Sequence, residues 1–309
     1  MSKEEYEVIS HDHSNYHLFL VNLLYRTPHI HKDFELGLIL DGELILSSAG
    51  HKYVLHQNDI FLMNPFQSHG LEGAHPCSIL SLQVSASFFS SYFPQIENME
   101  FDIDTIPFSD DPGYSGRLCQ ELLLLAEEYF RKERFYELHC ASQINRIFFD
   151  LFQRESHHLV SEKEKQSSRI IEKRMHHIIR YIEEHYTEKL LLSDIAGQEE
   201  LDLYYLSHFF KDSFGMTFQH YLTRIRCERA RQLLLLSDYN LLDICMSCGF
   251  SDPKYFNKGF LEQYGCTPKE YRSHFYNARL EQQQKSMLTT QEFLSDTASL
   301  IALEKISFS

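Results

Sequence analysis

The chain lacks any run of about 18 apolar residues, so nothing in it reads as a membrane-spanning helix. Its opening residues, MSKEEYEVISHDH, carry no apolar core of the kind a secretory leader needs, and no signal peptide is expected. Cysteine is sparse: seven residues, at 77, 119, 140, 227, 245, 248 and 266. Only Cys245 and Cys248 form a C-x-x-C, and without a second pair that spacing argues against a metal or redox role. Reduced thiols in a cytoplasmic protein are the expectation. No recognisable nucleophile–base pair is present, so neither an enzyme nor a resident cofactor is expected. Positive charge is also short, with 29 Lys and Arg against 44 Asp and Glu, a net −15. Read as a sum, that runs against nucleic-acid binding.

The distribution reads differently. Residues 1–167 hold 12 basic and 25 acidic side chains, while 168–276 hold 14 and 15. The front half carries the acid, and the back half is near neutral. At 309 residues, two domains are the default. Between 18 and 90, short apolar runs (LFLVNLLY, FELGLILDGELILSS, HKYVLH, DIFLMNP, CSILSLQVS) are separated by turn residues such as Asp41-Gly42, the pattern of a β-sandwich or barrel. After Pro112-Gly113 the period becomes helical: Leu118, Leu122, Leu125, Ala126 and Tyr129, then Leu138, Ile144, Ile147, Phe148 and Leu151. Residues 113–155 therefore predict a helical hairpin that caps the barrel or forms a dimer seam. The polar stretch SHHLVSEKEKQSS, 156–168, reads as a linker. From 169 to 276 the chain reads as helical almost throughout, and 277–309 as an extension of unknown role, its end a frayed or docked helix.

The back half contains a repeat. With an offset of fifty residues, Asp202 pairs with Asp252, Tyr205 with Tyr255, Phe210 with Phe260, Gly215 with Gly265, Thr217 with Thr267 and Tyr221 with Tyr271. Each copy reads as a short apolar helix, a turn, an Asp-capped helix and a glycine stop. In the second copy, Tyr255, Phe256 and Phe260 are expected to point inward. Lys254, Asn257, Lys258 and Leu261 form the outward stripe, matched by Tyr204, Ser207, His208 and Lys211 in the first copy. Two helix-turn-helix units of this kind present polar side chains able to reach base edges and phosphates. The bland alternative is the solvated face of an ordinary helical bundle, an interaction module without DNA. Between the copies, Arg224, Arg226, Arg229 and Arg231 either meet phosphates or pair with Glu228 and Asp238. Arg226, near the apolar side, reads as a buried structural arginine.

The segments SDIA, YLSHFFKDSFGMTFQHYLTRIRCERARQLL and ICMSCGFSDPKYFNKGFLEQYGCTPKEYR resemble the DNA-binding domain of AraC/XylS-type transcription regulators across roughly 175–275. The resemblance implies two helix-turn-helix units on one long joining helix, each placing a recognition helix in the major groove of double-stranded promoter DNA. A homodimer is expected from the two apolar-striped helices of the hairpin, RNA polymerase is a further candidate partner, and no membrane partner is expected. This chain departs from that pattern with Cys245 in place of Ala, His208 and Lys258 in place of Arg, and Leu261 in place of Lys. Glu199 and Glu200 add negative charge beside the first unit. Gly259 inside the second recognition helix is expected to weaken it by about 1 kcal/mol relative to Ala. Fewer cations mean fewer phosphate contacts, so modest DNA affinity, rescued by dimerisation or by DNA spacing, is expected.

HIHKDFELGLILDGELIL and NDIFLMNPFQSHGL, within about 15–90, resemble a cupin-type sensor domain. The fold class expected is thus α+β: a cupin-like barrel (1–112) with a helical hairpin, then an all-α domain with two helix-turn-helix units. Cupins often hold a metal through the pattern seen here as His29, His31, Glu35 and His69, and strand alternation would put His29, His31, Asp33 and Glu35 on one face. The same residues serve equally as polar groups of an effector pocket, with Tyr25 and Gln83, or as structural remnants. The resemblance favours a small effector, and a sugar or other polar solute suits the Tyr, His and acidic lining; no metal is assigned. A metal-binding cupin enzyme carrying a helical domain is the alternative function.

Overall fold

The computed structural model describes residues 15–237, 239–276 and 291–307. The opening stretch 1–14, Asp238 as a partner for the arginines, and residues 277–290 of the extension lie outside the described residues. The chain divides into two compact units, one of residues 1–26, 30–168 and 291–309, the other of 27–29 and 169–290.

The first unit is built on β1 (Tyr16–His29), β2 (Phe34–Asp41), β3 (Leu44–Ser48), β4 (His51–Leu55), β5 (Ile60–Met63), β6 (His69–Val84), β8 (Thr105–Ile106) and, from the far end of the chain, β10 (Gln291–Phe293). These eight strands form one sheet in the order β10-β1-β6-β2-β5-β8, with β3 joined to β4 and β6. The ladders of β2 with β5 and β6, of β3 with β4 and β6, and of β1 with β10 are antiparallel. The result is the nearly closed barrel expected from the short apolar runs. Both faces of β2 and β5 are buried, and period-2 alternation sorts the side chains between two cores. Phe19, Val21, Leu23, Ile39, Phe61, Met63, Cys77 and Ile79 gather inside the barrel with Leu44, Leu46, Leu55 and Leu71. The intervening Leu18, Leu20, Phe34, Leu36, Leu38, Ile60, Leu62, Leu80, Leu82 and Val84 form the other core.

That second core is completed by a hairpin of α1 (Pro112–Arg131) and α2 (Tyr136–Arg154). Asp111 caps α1 by accepting the Tyr114 N–H at 3.1 Å, and Pro112 occupies a first-turn position whose missing N–H costs nothing. Leu118, Leu122, Leu125, Ala126, Ile144, Ile147, Phe148 and Leu151 are all buried against the sheet. Of the two expected roles for the hairpin, covering the barrel is the one these side chains perform. Each such leucine, isoleucine or phenylalanine contributes roughly 1.5–3 kcal/mol of transfer free energy.

The stretch 156–168 is not the featureless linker its composition suggests. His157–Leu159 forms β9, antiparallel to β7 (Met99–Phe101), and α3 begins at Glu162. The pairing gives His157–Leu159 backbone partners that no periodic pattern in so short a polar run reveals. Ser161 and Glu164 then close a capping box: the Glu164 carboxylate accepts the Ser161 N–H at 2.8 Å, and Ser161 Oγ accepts the Glu164 N–H.

In the second unit, α3 (Glu162–His185, shared across the division) is followed by α4 (Leu192–Gln198), α5 (Leu203–Phe214), α6 (Phe218–Leu236), α7 (Leu241–Ser247), α8 (Pro253–Tyr264) and α9 (Pro268–Tyr276). α10 (Asp296–Ser307) returns to the first unit. The helices fall where the sequence pattern puts them, except that α3 starts seven residues earlier than the expected 169.

Candidate functional site

The repeat is reproduced in detail. Asp202 Oδ1 accepts the N–H groups of Tyr204 and Tyr205 at 2.9 and 3.1 Å, and Asp252 Oδ1 accepts that of Lys254 at 2.6 Å. α5 and α8 both end on a left-handed glycine, Gly215 at φ 65° and Gly265 at φ 69°, a conformation that penalises a Cβ. Phe210 and Phe260 are fully buried beneath them.

All seven residues of the expected DNA-reading stripes, Tyr204, Ser207, His208 and Lys211 on α5 and Lys254, Asn257 and Lys258 on α8, are exposed. Leu261 is exposed beside them. The Tyr204 and His208 rings lie 4.4 Å apart, and Lys258 Nζ is 3.8 Å from Glu262, a loose, solvent-screened pair. One orientation differs from expectation. Phe256 and Phe260 are buried, but Tyr255 is 62% exposed and does not point inward. Position 255 sits one residue, about 100°, from the buried row at 256 and 260, so it falls on the margin of the outward face. Its repeat mate Tyr205 is also exposed, and its hydroxyl accepts a bond from Arg174 at 3.0 Å. The two tyrosines widen the stripe, and the signal for them was already in the spacing.

The arginines of α6 divide by role. Arg226 is buried and donates to the carbonyls of Tyr186 and Glu188, each at 2.8 Å, which fastens the loop after α3. Burial draws its guanidinium pKa down. Arg231 is buried in a bidentate pair with Glu228, at 2.9 and 2.6 Å, and Tyr264 donates to the same carboxylate at 2.7 Å. Arg226 and Arg231 are therefore structural; Arg224 and Arg229 are partly exposed. Gly259 has a packing role in α8. A Cβ there would stand 2.6 Å from Thr223 Cγ2 and 3.4 Å from Cys227 Sγ, so its hydrogen is what lets α8 lie against α6. Cys245 and Cys248 are both buried thiols, with burial pushing Cys248 up to about 12.

The ligand atoms of His29, His31, Glu35 and His69 all lie within 4.8 Å of one another. They do not converge by alternation along one strand. β1 ends at His29, residues 30–33 form a loop, and β2 begins at Phe34, so His31 reaches Glu35 across a bend. Glu35, Ser81 and Gln83 share the strand parity of the barrel interior and are buried; Glu35 and Gln83 are cross-strand partners. Ser81 Oγ donates to Glu35 Oε1 at 2.5 Å. Glu35 Oε2 lies 2.6 Å from His31 Nε2 and 3.3 Å from His69 Nε2. Tyr25, in β1, is half-buried.

Both histidines have Nδ1 against a backbone carbonyl, His31 on Asp33 at 2.8 Å and His69 on Gln67 at 3.1 Å. A carbonyl only accepts, so each Nδ1 carries a proton, and each Nε2 faces Glu35 Oε2. A positive centre, either a proton on Nε2 or a bound cation, is what allows a ring nitrogen to meet a carboxylate oxygen this closely. Burial raises the Glu35 carboxyl, but the hydrogen bonds from His31 and His69 outweigh it and hold the group well below its ordinary value. Burial lowers His69, opposed by Glu35. The donor set suits a divalent ion. Ligands at about 2.0–2.2 Å from one metal lie at most about 4.4 Å apart, so the cluster needs to close by a few tenths of an ångström. A separate surface cavity of about 280 Å³ is lined by residues 64–67 and by Glu100, Phe101, Asp102, Asp104 and His158; none of the six expected effector residues reaches it.

Residues 21–144 match the AraC-like ligand binding domain model, and residues 195–274 match a helix-turn-helix domain model. The chain is 37% identical over 99 residues to the HTH-type transcriptional activator RhaS of Escherichia fergusonii, covering 32% of this chain and 36% of that protein. It is 38% identical over 99 residues to the regulatory protein PocR of Salmonella typhimurium, covering 32% and 33%. The matched stretch thus spans about a third of the length of these curated relatives. Among solved structures, the C-terminal domain of the response regulator yesN from Fusobacterium nucleatum is 39% identical over 32% of this chain and 96% of its own, with a TM-score of 0.31. The two matches fall on the barrel and on the helical unit respectively, so the chain resembles, part by part, regulators that carry an AraC-like ligand binding domain and a helix-turn-helix domain.

Proposed function

We propose that this protein is a transcription regulator that binds promoter DNA through α5 and α8 under the control of a small polar effector held in the barrel. The observation that carries the DNA half is the duplicated stripe: two helices with the same Asp cap, glycine stop and buried Phe each expose a set of polar and basic side chains. Lys211, Lys254 and Lys258 supply phosphate contacts; Ser207, His208 and Asn257 are of the types that read base edges. Tyr204 adds a flat polar edge. Two recognition helices acting together offset the low count of cations, and a homodimer would double the set. The exposed Leu138 and Phe149, eleven residues apart on the outer side of α2, suit such a dimer seam. RNA polymerase is a further partner, and the cytoplasm the compartment, that suit this role; no described helix is long and apolar enough to cross a membrane.

The effector half rests on Tyr25, His29, His31, Glu35, His69 and Gln83. A sugar or similar polyhydroxylated solute would engage the Glu35 carboxylate and the Gln83 amide as acceptor and donor. A titration of the purified chain with fluorescent duplexes from its own upstream region, at several salt concentrations and with candidate effectors, tests the reading. Salt-sensitive, sequence-dependent binding is expected; its absence from every fragment overturns it.

The convergence of four ligand atoms within 4.8 Å supports a second occupant of the same site, a divalent cation held by His29, His31, Glu35 and His69. There it would supply a fixed positive charge between the two Nε2 atoms and the carboxylate. Metal analysis of the purified protein, wild type against His31→Ala, decides: a stoichiometric ion lost in the variant supports the cation, and no ion in either leaves the effector reading alone.

A further inference from the structure

The sensor unit is not continuous in sequence. Its last strand and helix, β10 and α10, come after the whole DNA-binding unit. β10 adds to the free edge of β1 with Val21 opposite Phe293, Asn22 opposite Glu292 and Leu23 opposite Gln291. The Leu294 N–H continues the ladder to the Leu20 carbonyl at 2.9 Å, and the Phe293 ring meets Phe19 edge-on at 5.2 Å. α10 then lies along α1. Leu303 is buried in the core shared by the sheet and α1, with Leu294, Leu300 and Ala302 packed beside it. Lys132, the left-handed cap of α1, donates to Asp296 at the start of α10 at 2.6 Å.

The contacts are of two strengths. Only three residue pairs make the strand ladder, and the Lys132–Asp296 pair is half exposed, worth little in water. The apolar burial of one short helix carries most of the hold. A segment held this way is releasable without dismantling the barrel, whose other ladders do not involve it. It also changes the topology of the DNA-binding unit. Without docking, residues 169–276 are joined to the sensor unit through one end only; with it, the chain beyond 276 is held to that unit again from residue 291 on. A double tether removes orientational freedom, and reading DNA with α5 and α8 together demands one particular orientation.

We propose that the β1 edge and the α1 flank are a docking surface for the chain's own residues 291–307, a strap that restrains the DNA-binding unit when docked and is released when that unit binds DNA. The proposal rests on the regulator reading above. By linkage, whatever weakens docking strengthens DNA binding, and DNA weakens docking by the same factor. β1 carries both the strap at 21–23 and, further along, Tyr25 and His29 of the effector site, so a solute that shifts β1 alters the strap's hold.

The test uses the full chain with cysteines at the directly opposed positions, Asn22→Cys with Glu292→Cys, whose spacing in an antiparallel pair suits a disulfide. The oxidised form is locked, and the reduced form is its own control for the substitutions. The DNA affinity of the locked form is expected to be about tenfold weaker than that of the reduced form, within the usual range of such couplings. Leu303→Asp, which expels α10 by burying a charge, is expected to bind about tenfold tighter than wild type, with the strands' circular dichroism preserved. Amide exchange at 20–23 and 291–294 should speed up on adding the duplex. If oxidised and reduced forms bind within twofold of each other, or the locked form binds better, the strap is only a structural edge strand and the proposal is overturned while the regulator reading stands. If neither form nor Leu303→Asp binds any promoter duplex, the regulator reading falls and the strap's role with it.

Discussion

Phe260 meets Tyr271 edge to face, centroids 5.4 Å apart and planes at 77°; fifty residues earlier Phe210 meets Tyr221 at 5.5 Å and 79°. The two helix-turn-helix units therefore share their core geometry as well as their outline. Each aromatic pair joins a recognition helix to the helix that follows it, and edge-to-face packing contributes beyond area alone. Phe260→Ala should cost about 3–5 kcal/mol and abolish DNA binding through loss of the α8 platform. Thermal denaturation followed at the second unit should show it, with the first unit's transition unmoved. A shift under 1 kcal/mol would mean the pair is not what seats α8.

Gly259 offers a sharper test of that platform. Helix propensity alone predicts that Gly259→Ala stabilises α8 by about 1 kcal/mol. The 2.6 Å approach of a Cβ to Thr223 Cγ2 predicts the reverse, a loss of roughly 1–3 kcal/mol from overpacking. Adding Thr223→Ala removes the opposing methyl and should recover most of that loss. Denaturant midpoints of the two single variants and the double variant separate the alternatives: additive effects would refute the contact.

The legible parts of the sequence carry a local, repeated signal. The Asp caps, the glycine stops and the six fifty-residue identities fixed α5 and α8, and alternation fixed the barrel strands. Where it fell short, the determinants were tertiary. Nothing in 29–35 shows that His31 leaves the strand and folds back to Glu35. The Gly259 environment depends on a threonine 36 positions earlier. β9 exists because β7 offers it an edge, and the tail's strand exists because β1 does. A residue on the margin of a helical stripe, as Tyr255 is, is settled only by what packs next to it.

Electrostatics of the reading face give a direct expectation. Lys254→Ala and Lys258→Ala should each weaken binding to all duplexes alike and reduce the salt slope by about 1. Asn257→Ala should instead cost about 1–3 kcal/mol at one base position and relax preference there. Anisotropy titrations across a salt series check both; an unchanged slope in the Lys254→Ala, Lys258→Ala double variant would remove α8 from the interface.

Acid should loosen the barrel, and the direction follows from its buried histidine. Burial lowers the pKa of His69 in the folded chain below its ordinary value near 6.5, against the opposing pull of Glu35. Between those two values the unfolded chain holds a proton that the folded chain does not. Stability is then fully present above about pH 6.5 and declines as the pH drops, at up to about 1.4 kcal/mol per pH unit. Glu35, whose folded value is depressed, adds a second loss at lower pH, as it is protonated and its hold on both rings is broken. Melting temperatures between pH 7.5 and 4, taken with a chelator present to exclude bound cations, should fall in wild type. In His69→Gln the first phase of that fall should be absent, because glutamine does not titrate. Parallel curves for the two proteins would show that His69 does not set the acid response.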